Sequence, residues 1–211
     1  MSAAEIYINK IHYPVKNLGA GTRLGIWFQG CPIRCKGCIN PDTWDTGAGH
    51  KLAFSEFIKT LESFRDEKID GITISGGEPF AQPEALYDLC VFLRTITPGD
   101  ILVYSGYTYS RLRSKYRGIL KVIDVLVSGP YIESKTDRLI WRGSDNQKIT
   151  LLSEKAKEIY PASIDRAEWG ARSMQFSIIG ESVYMVGIPA RGDLDKLYRK
   201  MKEKGISCSG T

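Results

Sequence analysis

The chain has 211 residues, 43% apolar and 25% charged, with 29 Lys+Arg against 24 Asp+Glu and a formal net charge of +5. That length suits one domain, or one domain with an appended piece, and buries a core without disulfide staples; the composition excludes a disordered tail, a collagen and a coiled coil. No apolar run approaches the roughly 20 residues that span a bilayer, the first residues show no secretory signal, and the charge is too mild to argue for nucleic acid, so a cytoplasmic protein without a membrane or nucleic-acid partner is expected.

Residues 5–18 alternate loosely (Ile6, Ile8, Ile11), predicting a strand or extended arm, and Gly19-Ala20-Gly21 breaks it. Leu24 to Phe28 is an apolar run closed by Gly30, the pattern of a buried strand. Phe54, Phe57, Ile58, Leu61 and Phe64 recur at helical spacing. Ile72-Thr73-Ile74 reads as a second strand, and Pro83 opens a helix striped by Leu86, Leu89, Cys90 and Leu93. A third strand over 101–104, a helix over 108–116 and a fourth strand over 122–127 follow. This alternation predicts a parallel α/β sheet or barrel. Eight repeats need about 250 residues, so a partial, open barrel is expected. Residues 131–175 show little periodicity; 176–188 reads as a hairpin, and Leu194, Leu197, Tyr198 and Met201 as a last helix ending at Gly205. The expected division is a core over 1–150 and a C-terminal extension over 151–211 packed on it.

Three of the five cysteines crowd into one loop: Cys31, Cys35 and Cys38, spaced C-x3-C-x2-C. An odd count with one tight cluster is a metal or cluster site, not a disulfide framework. Two metals remain open at this point. Structural zinc takes four ligands, which His50 would complete; an iron–sulfur cubane on three cysteines leaves one iron free for a ligand. The loop, spanning 29–41, follows a strand end, where α/β folds build their sites. The next such loop is Gly76-Gly77-Glu78-Pro79. Its glycines admit close approach of a ligand, and Glu78 offers a carboxylate to an ammonium group. The competing reading is a plain turn with a solvated Glu78.

C-x3-C-x2-C after one strand and Gly-Gly-Glu-Pro after the next resemble the radical S-adenosylmethionine (SAM) superfamily. Gly37 departs from that pattern, in which the residue before the third cysteine is usually aromatic. Arg34 to Trp44 instead resembles the activating proteins of anaerobic ribonucleotide reductase and related glycyl-radical enzymes, as do Gly19 to Arg23, Val103 to Thr108, Asp124 to Tyr131 and Trp141 to Gln147. Ser128 departs, an acid being common there.

The resemblance implies a radical SAM type of partial parallel (β/α) barrel and a [4Fe–4S] cluster held by Cys31, Cys35 and Cys38. It implies SAM bound by the Gly76-Gly77-Glu78-Pro79 loop, with Gly37, Cys38 and Ile39 alongside and polar contacts from Ser105 and Asn146. It further implies a flavodoxin or ferredoxin as electron donor, and a glycyl-radical enzyme as the protein substrate. No catalytic side chain beyond the cluster and SAM is expected. A radical SAM enzyme acting on a small molecule or peptide, and a zinc-stabilised adaptor without chemistry, are the competing functions. Cys90 reads as a core residue, Cys208 as incidental, His50 as solvated, and the basic runs 111–121 and 196–204 as wet helix faces, the first with a second reading as a docking site for an acidic donor or partner.

Overall fold

The computed structural model describes residues 3–135, 137–170, 172–179 and 182–205. Its elements in chain order are β1 (Glu5–Val15), β2 (Arg23–Phe28), β3 (His50–Ala53), α1 (Phe54–Glu62), β4 (Gly71–Gly76), α2 (Pro83–Leu93), β5 (Asp100–Ser105), α3 (Tyr109–Lys115), α4 (Arg117–Leu120) and β6 (Val125–Ser128). β7 (Lys148–Leu151), α5 (Glu154–Ile159), β8 (Gln175–Ile179), β9 (Ser182–Val186) and α6 (Asp193–Glu203) complete it.

Seven strands form one mixed sheet in the order β3-β1-β2-β4-β5-β6-β7. The four central strands, β2, β4, β5 and β6, run parallel, each joined to the next across helices. The margins are antiparallel: β1 against β2, β3 against β1, and β7 against β6. The sequence pattern finds the parallel centre because each strand there is a short apolar run between helical stripes. It misses β3 and β7, which lie at the sheet margins and have no buried alternation to mark them. A division at residue 150 runs through β7, the last strand of the sheet.

Strand alternation sends side chains to two cores. Leu24, Ile26 and Phe28 of β2, Ile72 and Ile74 of β4, Ile101 and Val103 of β5 and Leu126 of β6 face the helices. There they meet Phe57 and Leu61 of α1, Leu86, Leu89 and Leu93 of α2, and Leu112 of α3. Cys90 lies in that core, where burial pushes its thiol up to about 12, so it is an inert packing residue. Leu102 of β5 and Val125 and Val127 of β6 face the opposite side, against Trp141, Ile149, Ala156, Tyr160 and Ile164. A smaller cluster of Val15, Leu18, Trp27 and Val186 seats the β8–β9 hairpin against β1 and β2. Asn17 fastens the same joint, its Nδ2 donating to the carbonyls of Ser173 (2.9 Å) and Val186 (2.8 Å). No helix among the described residues is long and apolar enough to cross a membrane.

Arg23 is fully buried at the amino end of β2. Its Nη1 and Nη2 donate to Asp100 Oδ1 (2.8 Å) and Oδ2 (2.9 Å), its Nε to Thr73 Oγ1 (2.7 Å), and Nη2 also to the Ile72 carbonyl (2.6 Å). Tyr160 donates its hydroxyl to Asp100 Oδ2 at 3.0 Å. Asp100→Ala would leave the guanidinium buried and uncompensated, and is expected to destabilise the protein by about 3–5 kcal/mol. Urea unfolding of the variant against the parent protein measures that loss.

Candidate metal centre and adjoining cavity

The parallel strands deliver three loops to one edge of the sheet. The first, after β2, carries the cysteines. Its backbone turns back on itself at Arg34 (φ 49°) and Gly37 (φ 73°), and the Cys38 N–H closes the turn onto the Cys35 carbonyl at 3.1 Å. A Cβ at Gly37 would lie 2.9 Å from Glu133 Oε1. The left-handed backbone explains why glycine stands before the third cysteine; the Glu133 carboxylate is a flexible tip that can move aside. The Gly30 and Cys31 N–H groups bond the carbonyls of Thr43 and Trp44, which folds residues 41–44 under the loop.

The second loop is stitched to the first. Gly77 N–H donates to the Phe28 carbonyl (2.8 Å) and Glu78 N–H to the Gly30 carbonyl (2.9 Å). Gly76 takes φ 104°, and a Cβ there would meet the Phe28 backbone at 2.4 Å; one at Gly77 would meet the Gly30 carbonyl at 2.3 Å. The paired glycines thus serve the contact between loops before any ligand is considered. Pro79 opens a short 3-10 turn, Pro79–Ala81, with Glu78 as its N-cap.

Glu78 is buried rather than solvated. Its Oε1 accepts from Phe80 N–H (3.0 Å), its Oε2 from Gly106 N–H (2.8 Å), and the Ser105 hydroxyl reaches both oxygens (2.9 and 3.1 Å). It therefore locks the second loop to the third, which follows β5. The Tyr107 backbone N–H also favours the carboxylate, so four donors face about four lone-pair sites.

Cys31, Cys35 and Cys38 are unpaired thiols lining one cavity of about 830 Å³. Gly37, Ile39, Gly76, Gly77, Glu78 and Ser105 line it too, whereas Pro79 and Asn146 do not. Asn146 instead donates its Nδ2 to the Pro130 carbonyl (2.8 Å), with its Oδ1 buried and unpartnered. Gln147 Nε2 holds the neighbouring Gly129 carbonyl at 3.0 Å. The pair thereby clamps the turn that presents Tyr131, whose backbone N–H favours the Cys35 thiolate.

Burial pushes the Cys35 and Cys38 thiols up. Cys38 is drawn the other way by the Asn40 backbone N–H and the Trp44 indole. That indole N–H is buried without a hydrogen-bond partner of good geometry in the chain, a donor left over for a sulfur centre. No three His, Cys, Asp or Glu side chains among the described residues are gathered to hold a metal ion. His50 pairs with Ile8 in the edge strand and does not line the cavity. Three thiols lining a shared space without a fourth protein ligand among the described residues, beside the spare Trp44 indole N–H, fit a cluster better than a structural zinc ion.

The sequence places the chain from 151 onward at a substrate pocket only under the small-molecule or peptide reading, without naming the residues that form the far wall of the cavity. Val183 to Val186 of β9, Gly187 to Gly192, and Leu194, Asp195 and Tyr198 of α6 line it opposite the cysteines. Arg191 ties this wall to the chain after β6, its Nη2 donating to the carbonyls of Glu133 and Lys135. The hairpin and helix are legible in the sequence; their placement against residues about 150 positions earlier has no local signal. Cys208 lies outside the described residues.

Residues 17–150 match the model of a family described as a 4Fe-4S single cluster domain, and the chain belongs to that family. Among its relatives is the anaerobic ribonucleoside-triphosphate reductase-activating protein of Vibrio cholerae, 37% identical over 145 residues, which cover 65% of this chain and 94% of that one. The protein of the same name from Salmonella typhi is 34% identical over 146 residues, with the same coverage. Among solved structures, QueE from Escherichia coli overlaps 49% of this chain and 53% of its own, with a TM-score of 0.40 and 17% identity, a likeness too slight to bear on the fold.

Burial raises the Glu78 carboxyl from its ordinary 4.5 to about 7, against the pull of its hydrogen bonds. The folded state then holds the proton more tightly than the unfolded chain, so stability is fullest below about 4.5 and falls as pH rises toward about 7. Cluster-free protein is expected to lose urea resistance across that window. Glu78→Gln should flatten the slope while lowering stability by about 1–3 kcal/mol, because an amide places a donor against donors. Urea midpoints of both proteins at about pH 5 and about pH 8 check the two effects.

Proposed function

We propose that Cys31, Cys35 and Cys38 hold a [4Fe–4S] cluster and that the protein activates a glycyl-radical enzyme such as an anaerobic ribonucleotide reductase. The observation that carries this reading is the joining of the cysteine loop to the Gly76-Gly77-Glu78-Pro79 loop along one cavity wall. The chemistry supplied when cluster and SAM are bound is reductive cleavage of the sulfonium C–S bond, giving methionine and a 5′-deoxyadenosyl radical that takes hydrogen from a backbone glycine.

The chain's own residues bind, orient and exclude water. Cys31, Cys35 and Cys38 would hold the cluster, and with no fourth protein ligand beside them among the described residues it would remain open to SAM. Gly76, Gly77, Glu78 and Pro79 shape the loop that would receive the methionine ammonium. Gly37, Cys38 and Ile39 offer backbone groups at the other side. Ser105 positions Glu78, and Asn146 carries a spare Oδ1 beside the clamp on Tyr131. No general base is required.

We read the sheet as a partial, open barrel of radical SAM type, supported by four parallel strands whose carboxyl ends carry the site. Residues 1–150 form its core and 151–211 an extension packed on it. A thiolate-held cluster suits a reducing compartment, and on that ground we read the protein as cytoplasmic, with a flavodoxin or ferredoxin as donor. The extension's part in the cavity wall favours a second reading, a radical SAM enzyme whose substrate is a small molecule or peptide enclosed there.

Cys35→Ala is expected to abolish both the iron–sulfur absorbance of the anaerobically reconstituted protein and SAM cleavage with dithionite; cleavage surviving the change would disprove the ligand set. A glycyl-radical electron-spin signal on an added anaerobic reductase supports the activase. Turnover of a small substrate without any partner protein would establish the second reading instead.

A further inference from the structure

Between Arg111 and Lys121 the chain carries five cations and no acid: Arg111, Arg113, Lys115, Arg117 and Lys121. All five are exposed, on α3, on α4 and on the turn that ends it. Among the described residues none of the five has a carboxylate within ion-pair reach. The other basic helix differs: α6 interleaves Asp193, Asp195 and Glu203 with its lysines, and Lys196 pairs with Asp193 at 3.2 Å. A run of one sign without compensation raises the local potential and steers partners of the other sign.

The patch adjoins the candidate metal centre. α3 starts from the loop after β5, the one whose Ser105 and Gly106 hold Glu78. The Arg111 guanidinium stacks on the Tyr107 ring, 3.8 Å from its centroid. Tyr107 is half-buried and close enough to Glu78 and Cys31 to feel their charges. Ile33, between the first two cysteines, lies so near Gly106 that a Cβ there would meet it at 2.6 Å. None of the five cations lines the cavity, so a protein seated on them leaves the cavity free for a substrate.

We propose that the α3–α4 face docks an acidic one-electron carrier protein, which reduces the metal centre from the Tyr107 side while the cavity holds the substrate. This rests on the activase reading above. One electron leaves the carrier, which is oxidised by one, and enters the centre, which is reduced by one; no bond forms or breaks and no proton needs to move.

The test uses reconstituted holoprotein, with an acidic flavodoxin as probe and an acidic ferredoxin as a second, titrated at low and high salt. Arg113→Glu, Lys115→Glu and Arg117→Glu together are expected to weaken carrier binding at least about tenfold and to remove most of its salt dependence. The neutral set Arg113→Gln, Lys115→Gln and Arg117→Gln should fall between, which separates charge from misfolding. Lys200→Glu with Lys202→Glu on α6 should bind as the parent does. Dithionite should reduce the centre to the same extent in every variant, followed by the electron-spin signal of the reduced cluster. Unchanged carrier affinity in the triple reversal, equal loss in the α6 variant, or no binding of either carrier to the parent would each overturn the docking face. Failure of dithionite to reduce any centre in the parent would instead overturn the activase reading.

Discussion

The buried Arg23–Asp100 pair is the constraint on which the site depends, although it sits at the far end of the sheet. A guanidinium with five donors in a fixed fork needs acceptors in one plane. Asp100, Thr73 and the Ile72 carbonyl provide them from β5 and β4 while Arg23 itself belongs to β2. The three strands are thereby aligned at their amino ends. Since parallel strands of nearly equal length keep their relative stagger, the carboxyl ends arrive in step, and those ends carry the cysteines, the Gly-Gly-Glu-Pro loop and the Ser105-Gly106 turn. Charge buried this deeply contributes little raw stability; here it ties three strands together at one end.

Much of this was legible in residue order. The apolar runs of β2, β4, β5 and β6 and the stripes of α1 and α2 are strong periodic signals, and the cysteine spacing points to a metal or cluster only together with the Gly-Gly-Glu-Pro loop that follows. The edge strands β3 and β7 were hidden because a margin strand buries too little to alternate. Glu78 shows a different limit. Its sequence context permits a solvated turn residue or a ligand contact, and the structure makes it a buried lock between loops. That outcome depends on Ser105 and Gly106, 27 and 28 residues away, and no window of sequence contains such a contact. Asn146 likewise belongs to a clamp on Gly129-Pro130 and reaches the cysteines only through Tyr131.

The C-terminal third gives the cavity a second wall. The family match ends at residue 150, while β9 and α6 close in from beyond it. Asn17 and the Val186 cluster hold that wall at one joint, and Arg191 holds it at another. The cysteine side and the Gly-Gly-Glu-Pro side are built from the sheet itself. The far side is attached to it, and is therefore the part of the cavity that can differ between related chains without disturbing the strands.

The interlocking of Gly76 and Gly77 with Phe28 and Gly30 bears on any attempt to move this chemistry elsewhere. Eight residues bearing three cysteines look portable, yet the strand end and the Gly30 turn that lead into them are held by a loop more than 40 positions downstream. Grafted alone onto a foreign scaffold, they would lose that support. The transferable unit is a pair of adjoining parallel strands with both turns, and a chemist designing a minimal cluster-binding peptide from this template would need to supply a surrogate for the missing partner.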